Sequence, residues 1–332
     1  MKAPQPVIFM LAAVMVLGVT APRAGCQSTP AVRGSAREGT PVPTPKGTSN
    51  AQVAPEEPDF AFIAGGPYTQ PKGSFQLVMP GWWSVRHSTA GGMTTGHSEF
   101  GALFRNEWGL TDRWELDLIT QAEGERDSLN GARLNSTFAV ADSTLGIRYR
   151  LLREPSFPLT LTMGPQIILP TGSVASGTGF GRAGYAWDVS TARDWGGLFF
   201  IYNSFNYAWF PGAADPASRR TFNLSTMAYG SALGMRPLEK DAGADTHHDI
   251  HTFLEFGWAR AETIQNSLAG PSKGAEVQMV LAPGIRYGLM RRYSDGKEKN
   301  LYEVGVSFPL GLNSMTPRMG VILQIQIEHV FE

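Results

Sequence analysis

Disulfides, long apolar stretches and surplus charge of either sign are all missing from this 332-residue chain, and each absence removes a class of protein. A single cysteine, Cys26, cannot form an internal bridge, so any exported form must be held together by its sheet and not by cystines. The longest apolar run, Val7 to Val19, is too short to cross a roughly 30 Å hydrocarbon core as a helix. A formal net charge of -1, with Lys and Arg scattered along the chain, offers no electrostatic footprint for nucleic acid. Charged residues are scarce at 17%, below the roughly 25% of soluble globular proteins, while glycine and aromatics are plentiful. That balance points to a membrane or all-β protein.

The first 58 residues divide by composition. Lys2 ahead of the Val7 to Val19 run reads as a signal peptide over residues 1–25, with small residues near its end. Arg23-Ala24-Gly25-Cys26 resembles a lipoprotein processing box with Arg where Leu is usual; Cys26 is a lipidation candidate, and the preferred reading is an incidental cysteine. Residues 26–58 are rich in Pro, Ser and Thr and nearly free of large apolar side chains, so they are expected to form a disordered periplasmic arm. Residues 59–332 carry the fold.

In that last segment short alternating stretches recur, each ending in Gly, Pro, Asn or Asp. Successive strand side chains point to opposite faces, so Trp114, Leu116 and Leu118 share one face and Glu115 and Asp117 the other. Leu145, Ile147, Tyr149 and Leu151 likewise oppose Arg148 and Arg150; Tyr302, Val304 and Val306 oppose Glu303; Leu323, Ile325 and Ile327 oppose Gln324, Gln326 and Glu328. These dyads match lipid-facing and lumen-facing positions, and the spacing predicts an all-β, antiparallel up-and-down transmembrane barrel of about 12 strands. Residues 109–113 and 194–197 are expected as inner turns, and 124–135, 172–179, 211–219 and 267–274 as longer outer loops.

The inward set then becomes the candidate site: Arg105, Glu107, Glu115, Asp117, Arg148, Arg150, Glu255, Arg286 and Glu303, with Phe200 and Tyr202 as inward aromatics. Mixed signs suit either an internal network of ion pairs or a constriction that selects solutes by charge. His247, His248 and His251 are weak metal candidates, read as an exposed inner-turn cluster without function. His97 and Ser98 are adjacent and point to opposite faces, so they make a poor catalytic pair. No catalytic residue and no cofactor are expected.

Several segments resemble the outer-membrane family of the meta-pathway of phenol degradation, often labelled transporter. These are Pro58-Asp59-Phe60, Pro67-Tyr68-Thr69, Gly73 to Leu77, the hairpin Glu107 to Leu116, and Leu169-Pro170-Thr171-Gly172. The resemblance implies a porin-like channel or transporter of the cell outer membrane for small hydrophobic or aromatic solutes, without catalytic residues. The alternatives are a structural or binding barrel without transport and a surface hydrolase. Expected partners are outer-membrane lipids, the solute, and the barrel-assembly machinery through a C-terminal strand ending at Phe331; barrels of this class usually finish on the aromatic itself, whereas Glu332 follows here.

Overall fold

The computed structural model describes residues 62–90, 92–154, 156–195, 198–215, 220–241, 246–267, 270–292 and 298–331. The signal peptide, Cys26 and the 26–58 arm lie outside the described residues. Fourteen strands follow in order: β1 Ser74–Ala90, β2 Met93–Gly109, β3 Trp114–Leu129, β4 Ala132–Val140, β5 Ser143–Leu152, β6 Thr160–Leu169 and β7 Gly184–Trp195. Then come β8 Phe199–Ala214, β9 Thr221–Asp241, β10 Thr246–Ser267, β11 Gly270–Arg292, β12 Glu298–Ser307, β13 Leu310–Gly311 and β14 Met319–Val330. Each pairs antiparallel with its neighbours, and β1 pairs β14 from Ser74↔Val330 to Val85↔Met319, so the sheet closes on itself and leaves no edge.

The wall has 12 positions, because two of them are each shared by two strands. β3 pairs β5 along its lower half and β4 along its upper half, so β4 and β5 are one stave broken at Ala141-Asp142. β12 and β13 are one stave broken at Phe308-Pro309, where Pro309 has no amide hydrogen to donate. Ser74 and Val330 define one end, called here the base, and the Met93 and Asn130 hairpins define the rim.

Alternation holds around the wall. Trp114, Leu145, Ile167, Trp187, Leu254 and Leu323 are all outward and exposed, while the inward positions carry most of the wall's buried charged and polar side chains. β5, β6 and β12 are ten residues each, the length a tilted strand needs to cross a hydrocarbon core. Apolar outside, polar inside and closed is the arrangement that a membrane-crossing sheet requires, since every wall amide must find its partner within the sheet.

The rim departs from expectation. Residues 124–135 are ladder, not loop: β3 runs to Leu129 and turns through Asn130 (φ 49°) and Gly131 (φ 83°) into β4. That Asn-Gly pair with both φ positive is the turn whose twist suits a two-residue hairpin. Residues 267 and 270–274 also belong to the β10–β11 ladder, which runs through Thr263↔Gly274 to Ser267↔Gly270, and β8 carries the chain to Ala214. Ladder hydrogen bonds need no apolar face, so the strands continue past the lipid-facing band, where Arg126 already points outward and is exposed.

The long rim segment 170–183 does form a loop, and it folds into the wall break. Asp142 accepts from Gly172 N (2.8 Å) and Phe180 N (2.9 Å), while Thr178 Oγ1 donates to Val140 O (2.8 Å). Phe180 then stacks on inward Phe210 at 3.6 Å, in a cluster with Ile168, Ala213 and Leu224.

Candidate functional site

Below the wall's first strand the chain does not leave the barrel. Residues 62–72 pass into the lumen from the base, and they are the largest feature that alternation did not foretell. The segment Ala64-Gly65-Gly66-Pro67 has no strand period and lacks the side chains to seal a core, so its own backbone polar groups must be satisfied by the wall.

The inward charges do this. Glu255, fully buried, accepts from the amides of Phe62 (2.8 Å), Ile63 (2.7 Å) and Ala64 (3.0 Å). Glu115 accepts from Gln70 N at 2.6 Å, and Gln70 Nε2 donates to Gln76 Oε1 (2.7 Å) and Glu107 Oε2 (3.3 Å). Arg148 donates to Gly66 O, Thr162 to Pro67 O and Arg150 to Asp112 O in the neighbouring turn.

The same groups pair with one another. Arg105 meets Glu107 (2.6 Å) and Asp117 (3.1 Å), Arg148 meets Glu115 (2.9 Å), and Arg286 meets Glu303 (3.3 Å) and His251. At the far side of this collar Gln76 Nε2 donates to Glu328 Oε2 at 3.4 Å. Glu107, Glu115 and Asp117 bring carboxylate oxygens within 4.8 Å of one another, a spacing that a metal also tolerates, but each of the three already pairs with Arg105 or Arg148.

Phe200 and Tyr202 are inward and fully buried, as alternation along β8 requires. Tyr202 takes the edge of Tyr68 from the plug at 6.0 Å, and Phe200 lies under Arg236 (4.5 Å) and beside Phe253 (5.6 Å). These aromatics therefore grip the plug. All eleven inward candidates, Arg105, Glu107, Glu115, Asp117, Arg148, Arg150, Phe200, Tyr202, Glu255, Arg286 and Glu303, sit on the lumen face.

The histidines do not form an exposed inner-turn cluster. They lie on β10, where alternation sends His247 and His251 inward and buried but His248 outward to Tyr287 Oη (2.5 Å). At the rim His97 is inward and clasped at both ring nitrogens, by Asp127 (2.7 Å) and Glu99 (3.1 Å), while Ser98 Oγ turns outward to Arg126 O. A histidine held at both nitrogens by carboxylates has no free nitrogen with which to activate a serine.

Above the plug the lumen changes character. A cavity of about 170 Å³ is lined by Pro80, Trp82, Leu103, Val280 and Ile322 from the wall, by the small residues Gly257 and Ala259, and by Phe62 and Ile63 of the plug as its floor; its polar lining includes Gln121 and Gln278. None of these wall residues is among the inward candidates. The signal was present in the apolar residues at inward parity, Leu103 two places from Arg105 and Ile322 two from Gln324.

No family model matches the chain, and no curated protein does so either. Among solved structures it is similar to the COG4313 outer membrane channel from Pseudomonas putida F1, at 17% identity and TM-score 0.46 over 80% of this chain and 98% of that one. It is also similar to the NanC porin, at 10% identity and TM-score 0.38 over 77% of this chain and 100% of that one. A third is the monoaromatic hydrocarbon channel TodX in a deltaS2S3 mutant form, at 12% identity and TM-score 0.38 over 80% and 93% respectively. At these levels the likenesses add nothing to the closed sheet that the hydrogen-bonded ladder already establishes.

Proposed function

We propose that this chain is an outer-membrane channel for small hydrophobic solutes, aromatic ones included, held shut by its own residues 62–72. The observation that carries the reading is the apolar chamber standing directly on a plug made of a separate chain segment. A barrel filled by its own wall side chains has no part that can leave. Here the obstruction is tied to the wall largely by hydrogen bonds to its backbone at Glu255, Glu115, Arg148 and Thr162, contacts that water can replace. A lumen plugged by wall residues would argue against transport; a removable plug fits a closed state.

The reading takes residues 1–25 as an export signal, 26–58 as a periplasmic arm, the base as periplasmic and the rim as outward. It takes the strand ending at Phe331, exposed beside His329 (4.7 Å), as the assembly signal, and it agrees with the resemblance to the phenol meta-pathway outer-membrane family.

Planar-bilayer conductance tests it. Full-length protein, confirmed as a barrel by heat-modifiable migration, is expected to give rare small openings, and a chain beginning at Pro71 frequent discrete ones. A confirmed barrel that stays silent in both forms would leave the structural-barrel alternative standing.

A further inference from the structure

Phe62 does not simply fill space at the top of the plug. The outer edge of its ring lies against the wall where β11 and β12 present Gly284 and Gly305, two inward positions that are diagonal neighbours across the ladder. A Cβ at Gly284 would meet Phe62 Cε2 at 2.7 Å, and one at Gly305 would meet Phe62 Cζ at 2.6 Å. Neither position has a positive φ, so the backbone does not require glycine there, and what the two glycines provide is the space that the ring edge occupies. Phe253, opposite Gly284 on β10, closes one side with a perpendicular ring at 6.0 Å and 87°. The other side opens into the chamber, because Phe62 is itself part of the chamber's lining.

From this geometry we infer that the Gly284–Gly305 floor is a binding subsite for a single aromatic ring of a solute, and that Phe62 is an internal competitor for it. A solute ring arriving through the chamber displaces Phe62, gains the same side-chain-free floor and the same perpendicular contact with Phe253, and frees the plug's apolar end. The three amide bonds to Glu255 then hold residues 62–64 without their side-chain anchor, so occupancy of the subsite and release of the plug are coupled. The inference rests on the channel reading for its purpose but not for the binding itself. A saturated ring, thicker than a planar one, fits the floor less well.

The test uses the full-length refolded chain in detergent, with dissociation constants for benzyl alcohol and cyclohexylmethanol measured by ligand-observed NMR. Phe62→Ala is expected to tighten benzyl alcohol about tenfold, the factor that about 1.4 kcal/mol of ring packing represents. It should tighten cyclohexylmethanol by clearly less. Adding Gly305→Ala to Phe62→Ala should abolish the gain, with Gly284→Ala as the second floor variant if that barrel does not assemble. No gain in Phe62→Ala, an equal gain for both alcohols, or a gain that survives both floor variants would each overturn the inference. Conductance of the same preparations separates the two claims. A silent barrel that still binds the ring competitively removes the channel reading alone, and a conducting barrel without competition removes the subsite alone.

Discussion

The lower part of the lumen and the chamber directly above it are built from the same wall by the same alternation, and they differ in whether the inward side chains are charged. Near the base the inward positions carry Glu107, Glu115, Asp117, Arg148 and Glu255, and that part is filled. Higher up they carry Leu103, Val280 and Ile322, and that part keeps a cavity. A buried charge is costly unless it is paired and hydrogen-bonded, so the lower part recruits both its own counter-charges and the backbone of residues 62–72. Apolar walls make no such demand, and a small apolar cavity can stay open. The plug is therefore where it is because the wall's charges need it.

The sharpest way to break this comparison is to remove a charge at the collar. Arg148 is fully buried and joins Glu115, Ser190 and the Gly66 carbonyl. Arg148→Leu leaves Glu115 uncompensated and is expected to cost about 3–5 kcal/mol, read as a lower urea midpoint for the change in gel migration. Leu103→Ala in the chamber should cost only about 1 kcal/mol, since Leu103 is half-buried beside existing space. Equal losses at the two sites would show that the two parts are not energetically distinct.

A smaller change asks whether the plug can be loosened while the wall stays intact. Glu255→Gln replaces one carboxylate oxygen by an NH2 group that must face an amide hydrogen of Phe62 or of Ile63 and Ala64. The expected loss is about 2 kcal/mol of plug binding, roughly a thirtyfold shift towards the open form. Single-channel recording should show openings more frequent by about that factor at unchanged step size. A larger step without a change in frequency would mean that Glu255 sets the pore and not the plug.

The comparison also explains what the sequence could disclose. The wall was legible because period-two alternation repeats stave after stave, and the inward face of Glu115 or Arg148 follows from Trp114 and Leu145 facing out. The rim was misread where glycine suggested loops, although Asn130-Gly131 marks a tight hairpin. The histidines were misread because residues 247 and 248 were taken as a turn and not assigned to the two faces of one strand. The plug was illegible for a physical reason: Gly65, Gly66 and Pro67 have no period, and what fixes residues 64–70 is a set of charges 45 to 191 positions away. The chamber was hidden by the same logic, since a cavity is the absence of a side chain across the lumen.

The smallest expected effect lies at the rim, beyond the lipid-facing band, where the clasp of His97 between Glu99 and Asp127 should respond to pH. The hydrogen bond that His97 donates to Glu99 raises the His97 pKa most, Asp127 adds to it, and burial opposes both; the outcome is a rise from 6.5 to about 8. Glu125, also at the rim, adds a further negative charge nearby. A group whose folded pKa is raised stabilises the fold fully below its unfolded value and loses that contribution as pH climbs through the folded one. Protection of the β2–β3 rim amides from hydrogen exchange should therefore be greatest below about pH 6.5 and decline through about pH 8, by at most about thirtyfold and by less in salt. His97→Gln should flatten that dependence while leaving the collar amides near Glu115 unchanged. If the collar amides moved with pH as strongly as the rim, the two ends of the lumen would be one cooperative unit, and the separation between a charge-locked base and an independent rim would fail.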